Sequence, residues 1–283
     1  MQAVRIIGPG RAGSSLSAAL GVAGWDVVEV LGRHDDVTDA ACGVDALVIA
    51  TPDDAVAAVA ASVRPDPGTV VLHLSGSLGL DVLVPHARRA ALHPLVPLPN
   101  AADGARRLAM GVTFAVAGDP IARRMAESLG GRTVEVADAD RAAYHAAASI
   151  AANHVVALLG QVERVAATAG LPLEAFLGLT RAAVDDVARL GPRQALTGPA
   201  ARADWTTLAR HLEALAPEER AGYNAGVGLA LQLTVGEPGA WEGVAGVADG
   251  DDLIEVEDAP EMRIPGGLPV RPIPSDPVPA GVA

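Results

Sequence analysis

Short apolar runs alternate with helix-period segments over the first half of the chain. Val4–Ile7, Trp25–Leu31 and Asp45–Thr51 are apolar enough, and short enough, to be strands covered on both faces. A helix over Ser14–Ala23 follows the first of them, and Thr51-Pro52-Asp53-Asp54 opens a second helix over residues 55–63. Residues 69–76, TVVLHLSG, form another buried strand, and two more, Gly111–Asp119 and Thr133–Asp138, flank a helix starting at Ile121. Strands alternating with helices predict an α/β fold: an N-terminal Rossmann, doubly wound parallel sheet over residues 1–138.

From Asp140 the period becomes helical. Residues 141–170 read as one long helix, ended by Gly170 with Pro172 beyond, and a second helix closes at Gly191-Pro192. A loop, PRQALTGPAARA, leads to Asp204, the predicted cap of the helix WTTLARHLEAL, and PEERAGYNAGVGLALQLTV is the last. Residues 139–235 are therefore expected to be an all-helical domain. Its first helix is apolar almost all round, so it should be buried, partly against a second subunit. Residues 236–283 contain eight prolines and no sustained period, and read as a disordered tail in which only LIEVED can attempt a strand.

Charge refines the picture. That tail holds ten acidic residues and two arginines, so −8 of the chain's net −13 sits there and the rest carries only −5. A mildly acidic body that is 2% aromatic offers no surface for nucleic acid. One cysteine, Cys42, excludes an internal disulfide and a cysteine-based zinc site, and no His/Asp/Glu cluster has metal-ligand spacing, so no metal is expected. The chain starts with a strand and shows no unbroken run of about eighteen apolar residues, so a cytoplasmic protein with no membrane partner is expected. All 21 basic residues are arginines; without lysine there is no Schiff base, Walker lysine or lysine general acid.

The candidate chemistry begins where the first strand runs into Gly8-Pro9-Gly10-Arg11-Ala12-Gly13. This is GxGxxG between a strand and a helix, the context in which it signals a dinucleotide: the first glycine turns, the second admits the pyrophosphate, the third lets helix and sheet pack. Strand two ends Leu31-Gly32-Arg33-His34 with no carboxylate at its tip, and Glu29 lies two residues too early. Arg33 stands where a 2′-phosphate would lie, so NADP is preferred over NAD. Thr51 and Pro52, ending another strand, should touch the cofactor, as should Ser75. His73 and Gly76 are placed beside the substrate or the nicotinamide ribose, and His93-Pro94 in a proline-rich loop that walls the pocket.

On the long helix, His145, Ser149 and Asn153 are spaced i, i+4, i+8 and so share one face. Three aligned polar side chains on an Ala-rich helix need partners or a wet cleft. They are read as His145 donating a proton, with Ser149 and Asn153 holding the substrate oxygen. Arg202 is a candidate carboxylate holder, with an ion pair to Asp204 as the alternative, while Tyr144 and His211 read as packing residues.

The motifs GPGRAGSSL, IATPDDAV, HLSGSLG, HPL, YHAAASIAAN and LTGPAARADW, in this order, resemble the Rossmann-like reductases that carry a C-terminal domain of unknown function 2520. That group is similar to the wider 6-phosphogluconate dehydrogenase-like superfamily. The resemblance covers about residues 3–235. It implies an NADP domain, a helical C-terminal domain and often a homodimer through the C-terminal helices. β-Hydroxyacid dehydrogenases of that superfamily use a Lys-x-x-x-Asn pair on the long helix. This chain has Asn153, but Ser149 stands four residues before it, so no lysine charge is present. The expectation is an NADP-dependent oxidoreductase of a small carbonyl or imine acid, with ketopantoate-like 2-oxo acids among the candidates. The alternative is a dinucleotide-binding sensor or subunit partner without catalysis.

Overall fold

The computed structural model describes residues 2–234, which divide into two compact units meeting in sequence at His154/Val155. The predicted tail strand, LIEVED, lies outside the described residues.

The first unit is built on one seven-stranded sheet of order β2-β1-β3-β4-β5-β6-β7. Its strands are β1 (Ala3–Ile7), β2 (Asp26–Leu31), β3 (Ala46–Ile49), β4 (Val70–His73), β5 (Arg89–Pro94), β6 (Thr113–Gly118) and β7 (Arg132–Glu135). All neighbours pair parallel except β5 with β6. The helices are α1 (Arg11–Val22), α2 (Asp53–Ser62), α3 (Ala101–Leu108), α4 (Ile121–Ser128) and α5 (Arg141–Ser149).

Alternation along the strands explains the two layers. Ile6, Val48 and Leu72 face one core with Leu20, Leu108 and Met125, whereas Ile7, Leu47, Ile49 and Val71 face another with Val56, Ala60 and Leu83. Every residue of β3 and β4 is buried, as the unbroken apolar runs require of central parallel strands. This is the doubly wound Rossmann-type sheet that the alternation of elements predicts.

Three sequence expectations need correction. The segment read as a proline-rich loop around His93 is strand β5, because Ala90, Ala91 and Leu92 are fully buried between β4 and β6 and Pro94 falls at the strand's last position, where a missing N–H is tolerated. The long helix is continuous but not uniform: a π turn over Ile150–His154 separates α5 from α6 (Val155–Thr168). That helix is also not buried within the chain, since Ile150, Val156 and Leu158 are exposed. Stretch 138–168 is long and apolar enough, by length and composition, to cross a membrane, at a mean hydropathy of 1.3.

The second unit contains α6, α7 (Glu174–Leu190), the short α8 (Pro192–Ala195), α9 (Trp205–Ala214) and α10 (Pro217–Thr234). The predicted signals operate. Gly170 takes φ +71° after α6, with the Leu171 amide bonding back to the Ala166 carbonyl. Asp204 caps α9 by accepting from the Thr207 amide at 3.1 Å. Inside the unit, Arg164 grips the carboxylate of Glu219, which is 8% exposed, and the Gln161 amide donates to the Glu219 carbonyl. The guanidinium holds the Glu219 carboxyl below the usual carboxylate range.

Candidate dinucleotide loop and histidine cluster

The glycine loop is shaped by three different constraints. Gly8 has φ +110°, and a Cβ there would lie 2.6 Å from the Ala50 carbonyl oxygen. A Cβ on Gly13 would collide with the Gly8 carbonyl oxygen. Gly10 is different: a Cβ there would meet nothing within 4 Å. The fold forces the first and third glycines, whereas the second keeps open a space that no protein atom fills. Gly10 is also the N-cap of α1, whose first turn has no acidic residue and no side-chain cap, so its amides are left to an anion. The Ser14 hydroxyl closes the loop by donating to the Pro9 carbonyl at 2.9 Å. This cradle fits a dinucleotide pyrophosphate, with Gly8, Pro9, Gly10, Arg11, Ala12 and Gly13 around it.

The neighbouring strand ends converge on the same edge. The Gly8 amide donates to the Leu31 carbonyl at 2.8 Å, which fixes the tip of β2 beside the loop. There the exposed Asp35 accepts from the Gly32 amide at 2.7 Å, while Arg33 and Arg11 are exposed and, among the described residues, ion-pair with nothing. Glu29 is a strand residue paired with Arg5 at 3.4 Å. Thr51 and Pro52 follow β3, and the Thr51 amide lies 3.1 Å from where a Gly8 Cβ would be. The Thr51 hydroxyl is enclosed without a partner.

A second cluster sits at the carboxyl ends of β4 and β5 and on α5. Ser75 is not free to touch a cofactor through its hydroxyl: it donates to Asp53 Oδ2 at 2.7 Å and accepts from the amides of Ser77 and Leu78. It therefore builds the loop after β4. His73 is fully buried and its Nε2 donates to the Gly79 carbonyl at 3.2 Å, so it braces that loop rather than offering a surface to substrate. Burial, and then the Arg141 charge, push the His73 ring towards its neutral form.

Gly76 explains itself sterically. A Cβ there would stand 2.4 Å from His145 Nδ1 and 2.9 Å from His93 Cε1, so glycine makes room for two imidazoles. Those rings meet edge to face with centroids 5.7 Å apart. His93 Nδ1 lies 2.6 Å from the Tyr144 hydroxyl. Burial, aided by His145 and Arg141, lowers the His93 pKa to about 4, and burial raises that of Tyr144 to about 12. The enclosed Nδ1 of His145 has no partner.

Sequence reasoning missed Arg141 and misread Tyr144 as packing. Arg141 is 1% exposed; it pairs with Asp138 at 3.2 Å, reaches the Ser75 carbonyl only at 3.5 Å and leaves Nη2 enclosed and unpartnered. The signal was available: Arg141 lies one helical turn before His145 and is the one cation at the head of an Ala-rich helix.

Ser149 and Asn153 do not share one face with His145 as the spacing predicts. Ser149 is half-buried, but Asn153 is exposed and lies inside the π turn, which breaks the i, i+4 register after Ser149. Arg202 belongs to the second unit, where it is exposed and donates to the Thr197 carbonyl at 2.6 Å rather than pairing with Asp204. Also in that unit, His211 Nδ1 lies 2.6 Å from the Tyr223 hydroxyl. Among the described residues no group of three His, Cys, Asp or Glu is placed to hold a metal.

Comparison with known proteins agrees with this architecture. The structure is similar to a candidate NADP oxidoreductase of Bacteroides fragilis (18% identity, TM-score 0.66, covering 82% of this chain and 98% of that one). It is also similar to pyrroline carboxylate reductase of Plasmodium falciparum with NADP bound (13%, TM-score 0.55, 83% and 98%). A third likeness is to a reductive aminase of Aspergillus terreus in complex with NADPH and ethyl-5-oxohexanoate (14%, TM-score 0.61, 82% and 94%). At these identities the likeness establishes the fold. No curated protein sequence matches the chain. Residues 109–228 match the model of the domain of unknown function DUF2520, from the end of α3 into α10, so the matched region takes in the last two strands of the sheet, α5 and most of the second unit's helices.

Proposed function

We propose that the protein is an NADP-dependent reductase of a small carbonyl or imine acid. The observation that carries the reading is the open space at Gly10, bordered by the bare amides of α1 and by the exposed Arg11 and Arg33. A phosphate-bearing dinucleotide satisfies all three features at once. When bound, such a cofactor supplies hydride chemistry. Gly8 to Gly13 would hold its pyrophosphate, Arg33 its 2′-phosphate, and Thr51 and Pro52 would flank it. NADP and NADPH also stand in the names of two of the similar structures.

His93, Tyr144 and His145 line the substrate side, where a proton must be placed on the oxygen or nitrogen that receives the π electrons. Arg141 supplies a fixed positive charge beside these groups in a chain without lysine. The test is calorimetric titration with NADPH and NADH, followed by a panel of 2-oxo acids and cyclic imines monitored by NADPH absorbance. Saturable NADPH binding tighter than NADH binding is expected; no binding of either sinks the reading. The lack of lysine favours a second reading, a dinucleotide sensor without turnover, and NADPH binding with no reduction across the panel would select it.

We also propose a homodimer through the C-terminal helices. Val156, Leu158, Leu179, Val184 and Val187 are large, apolar and exposed on α6 and α7. Light scattering is expected to give twice the 28.5 kDa chain mass. A detergent-dependent monomer that partitions into vesicles would instead assign the face to a membrane.

A further inference from the structure

We propose that Tyr144 and His93 act as one proton-delivering pair, His93 giving its Nε2 proton to the substrate while Nδ1 takes the proton of the Tyr144 phenol. The inference rests on the reductase reading and specifies its proton source.

The geometry sets the direction of the hydrogen bond. The phenol oxygen and Nδ1 are 2.6 Å apart, and the rings stand at 90° with centroids separated by 5.6 Å. A phenol pushed up to about 12 keeps its proton, and an imidazole pushed down to about 4 is neutral, so oxygen donates and Nδ1 accepts. The single ring proton is then on Nε2. That atom has no partner among the described residues, yet it is not among the enclosed unpartnered atoms, which include His145 Nδ1, His73 Nδ1 and Arg141 Nη2. His145 Nε2 is likewise outside the enclosed set, but only His93 has its other ring nitrogen held by a hydrogen bond, which fixes its proton on Nε2.

The groups facing His93 from every packed element are Tyr144, His145 and Arg141 on α5, Asp53 at the start of α2 and His73 on β4. Arg141 and the two histidines oppose a charge on the His93 ring, and Asp53 favours it. Arg141 also opposes the burial that raises the phenol, which eases release of its proton.

The step balances as follows. A bound reduced nicotinamide would supply hydride to the substrate carbon, so the π pair left on oxygen or nitrogen would need a proton. That atom bonds the Nε2 proton, Nδ1 bonds the phenol proton and the Tyr144 O–H bond breaks. Water then protonates Nε2 while Nδ1–H returns to the phenolate. One hydride and one proton are consumed in each turnover. His145, with its Nδ1 enclosed, positions the His93 ring across Gly76.

The first test reads the free full-length protein: ¹⁵N NMR of labelled histidine is expected to show His93 neutral and as the Nε2–H tautomer between pH 5 and 8. An Nδ1–H tautomer, or titration near the ordinary value of 6.5, overturns the proposal. The second test reads turnover on whichever acid or imine of the panel is reduced. Tyr144→Phe is expected to lower kcat at least 30-fold with KM and NADPH affinity within twofold, and to enlarge the solvent isotope effect over that of the wild type, because proton delivery becomes the slower step. Full activity in Tyr144→Phe, with the loss appearing in His145→Ala, reassigns the donor to His145 and overturns the pair. Failure of NADPH to bind removes the reductase reading and the proposal with it, whatever the tautomer.

Discussion

The two candidate ligand-facing regions of the first unit are built on opposite principles. The glycine loop recognises with backbone: side chains are absent where a ligand would sit, and the steric limits at Gly8 and Gly13 hold amides in place. The cluster on β4, β5 and α5 is crowded with side chains, several of them enclosed polar groups without partners. The first is a shape made largely by local sequence, with Leu31 and Ala50 closing it from the neighbouring strands. The second depends on strand order, because His93 and Tyr144 are 51 residues apart and meet only once β5 lies beside β4 and α5 folds back.

That comparison breaks most severely at the loop. Gly8→Ala places a Cβ 2.6 Å from the Ala50 carbonyl oxygen at φ +110° and should cost roughly 3 kcal/mol through strain and overlap. Gly13→Ala should cost a similar amount. Gly10→Ala, by contrast, should melt at the wild-type temperature and lose NADPH affinity alone. Thermal melts beside NADPH titrations check the triplet; a Gly10→Ala variant as unstable as Gly8→Ala would show that the second glycine also serves the fold.

In the side-chain cluster, Gly76→Ala is the corresponding probe. Its methyl would press on both imidazoles, at 2.4 Å from His145 Nδ1 and 3.0 Å from His93 Nε2. A cost of about 1–2 kcal/mol is expected, since ring rotation relieves part of the overlap. The His93 and His145 NMR signals should move while NADPH binding is kept. Unmoved histidine signals would mean that the two rings do not close on Gly76 in solution.

The legibility of the sequence follows the same division. Buried strands, the glycine loop, the Asp204 cap and the Gly170 terminator are all set by neighbouring residues, and each was readable. Strand β5 was not, because His93 and Pro94 lie at its end and two further prolines follow within five residues. The His145–Ser149–Asn153 row was an α-helical extrapolation that a single π turn undoes. Arg141 escaped notice because a guanidinium at a helix start looks solvated until the strands that enclose it are known.

Acid should separate the two regions next. His93 and His73 have folded-state pKa values below the unfolded 6.5, so the stability linked to them is fully present above pH 6.5 and drains as pH falls, for His93 towards about 4. For the half-buried His93, discounted for solvent screening, roughly 2 kcal/mol should be lost between pH 6.5 and 4, with His73 adding in the same direction. Urea midpoints across that range check it, and His93→Gln should flatten the slope. An unchanged slope in that variant would show that His93 is not held neutral in the fold.

The smallest effect is also the most discriminating for the cofactor. Arg33→Ala removes an exposed cation without a protein partner, so stability should not change. If Arg33 meets a 2′-phosphate, NADPH affinity should fall about tenfold, roughly 1.4 kcal/mol, while NADH affinity stays within twofold. Added salt should weaken NADPH binding to the wild type more than to the variant, because the lost contact is a screened charge pair. Equal losses for the two nucleotides would place Arg33 on the shared pyrophosphate. The strand-two tip would then no longer distinguish NADP from NAD, and the exposed Asp35 carboxylate beside it would become the residue to test against the ribose hydroxyls.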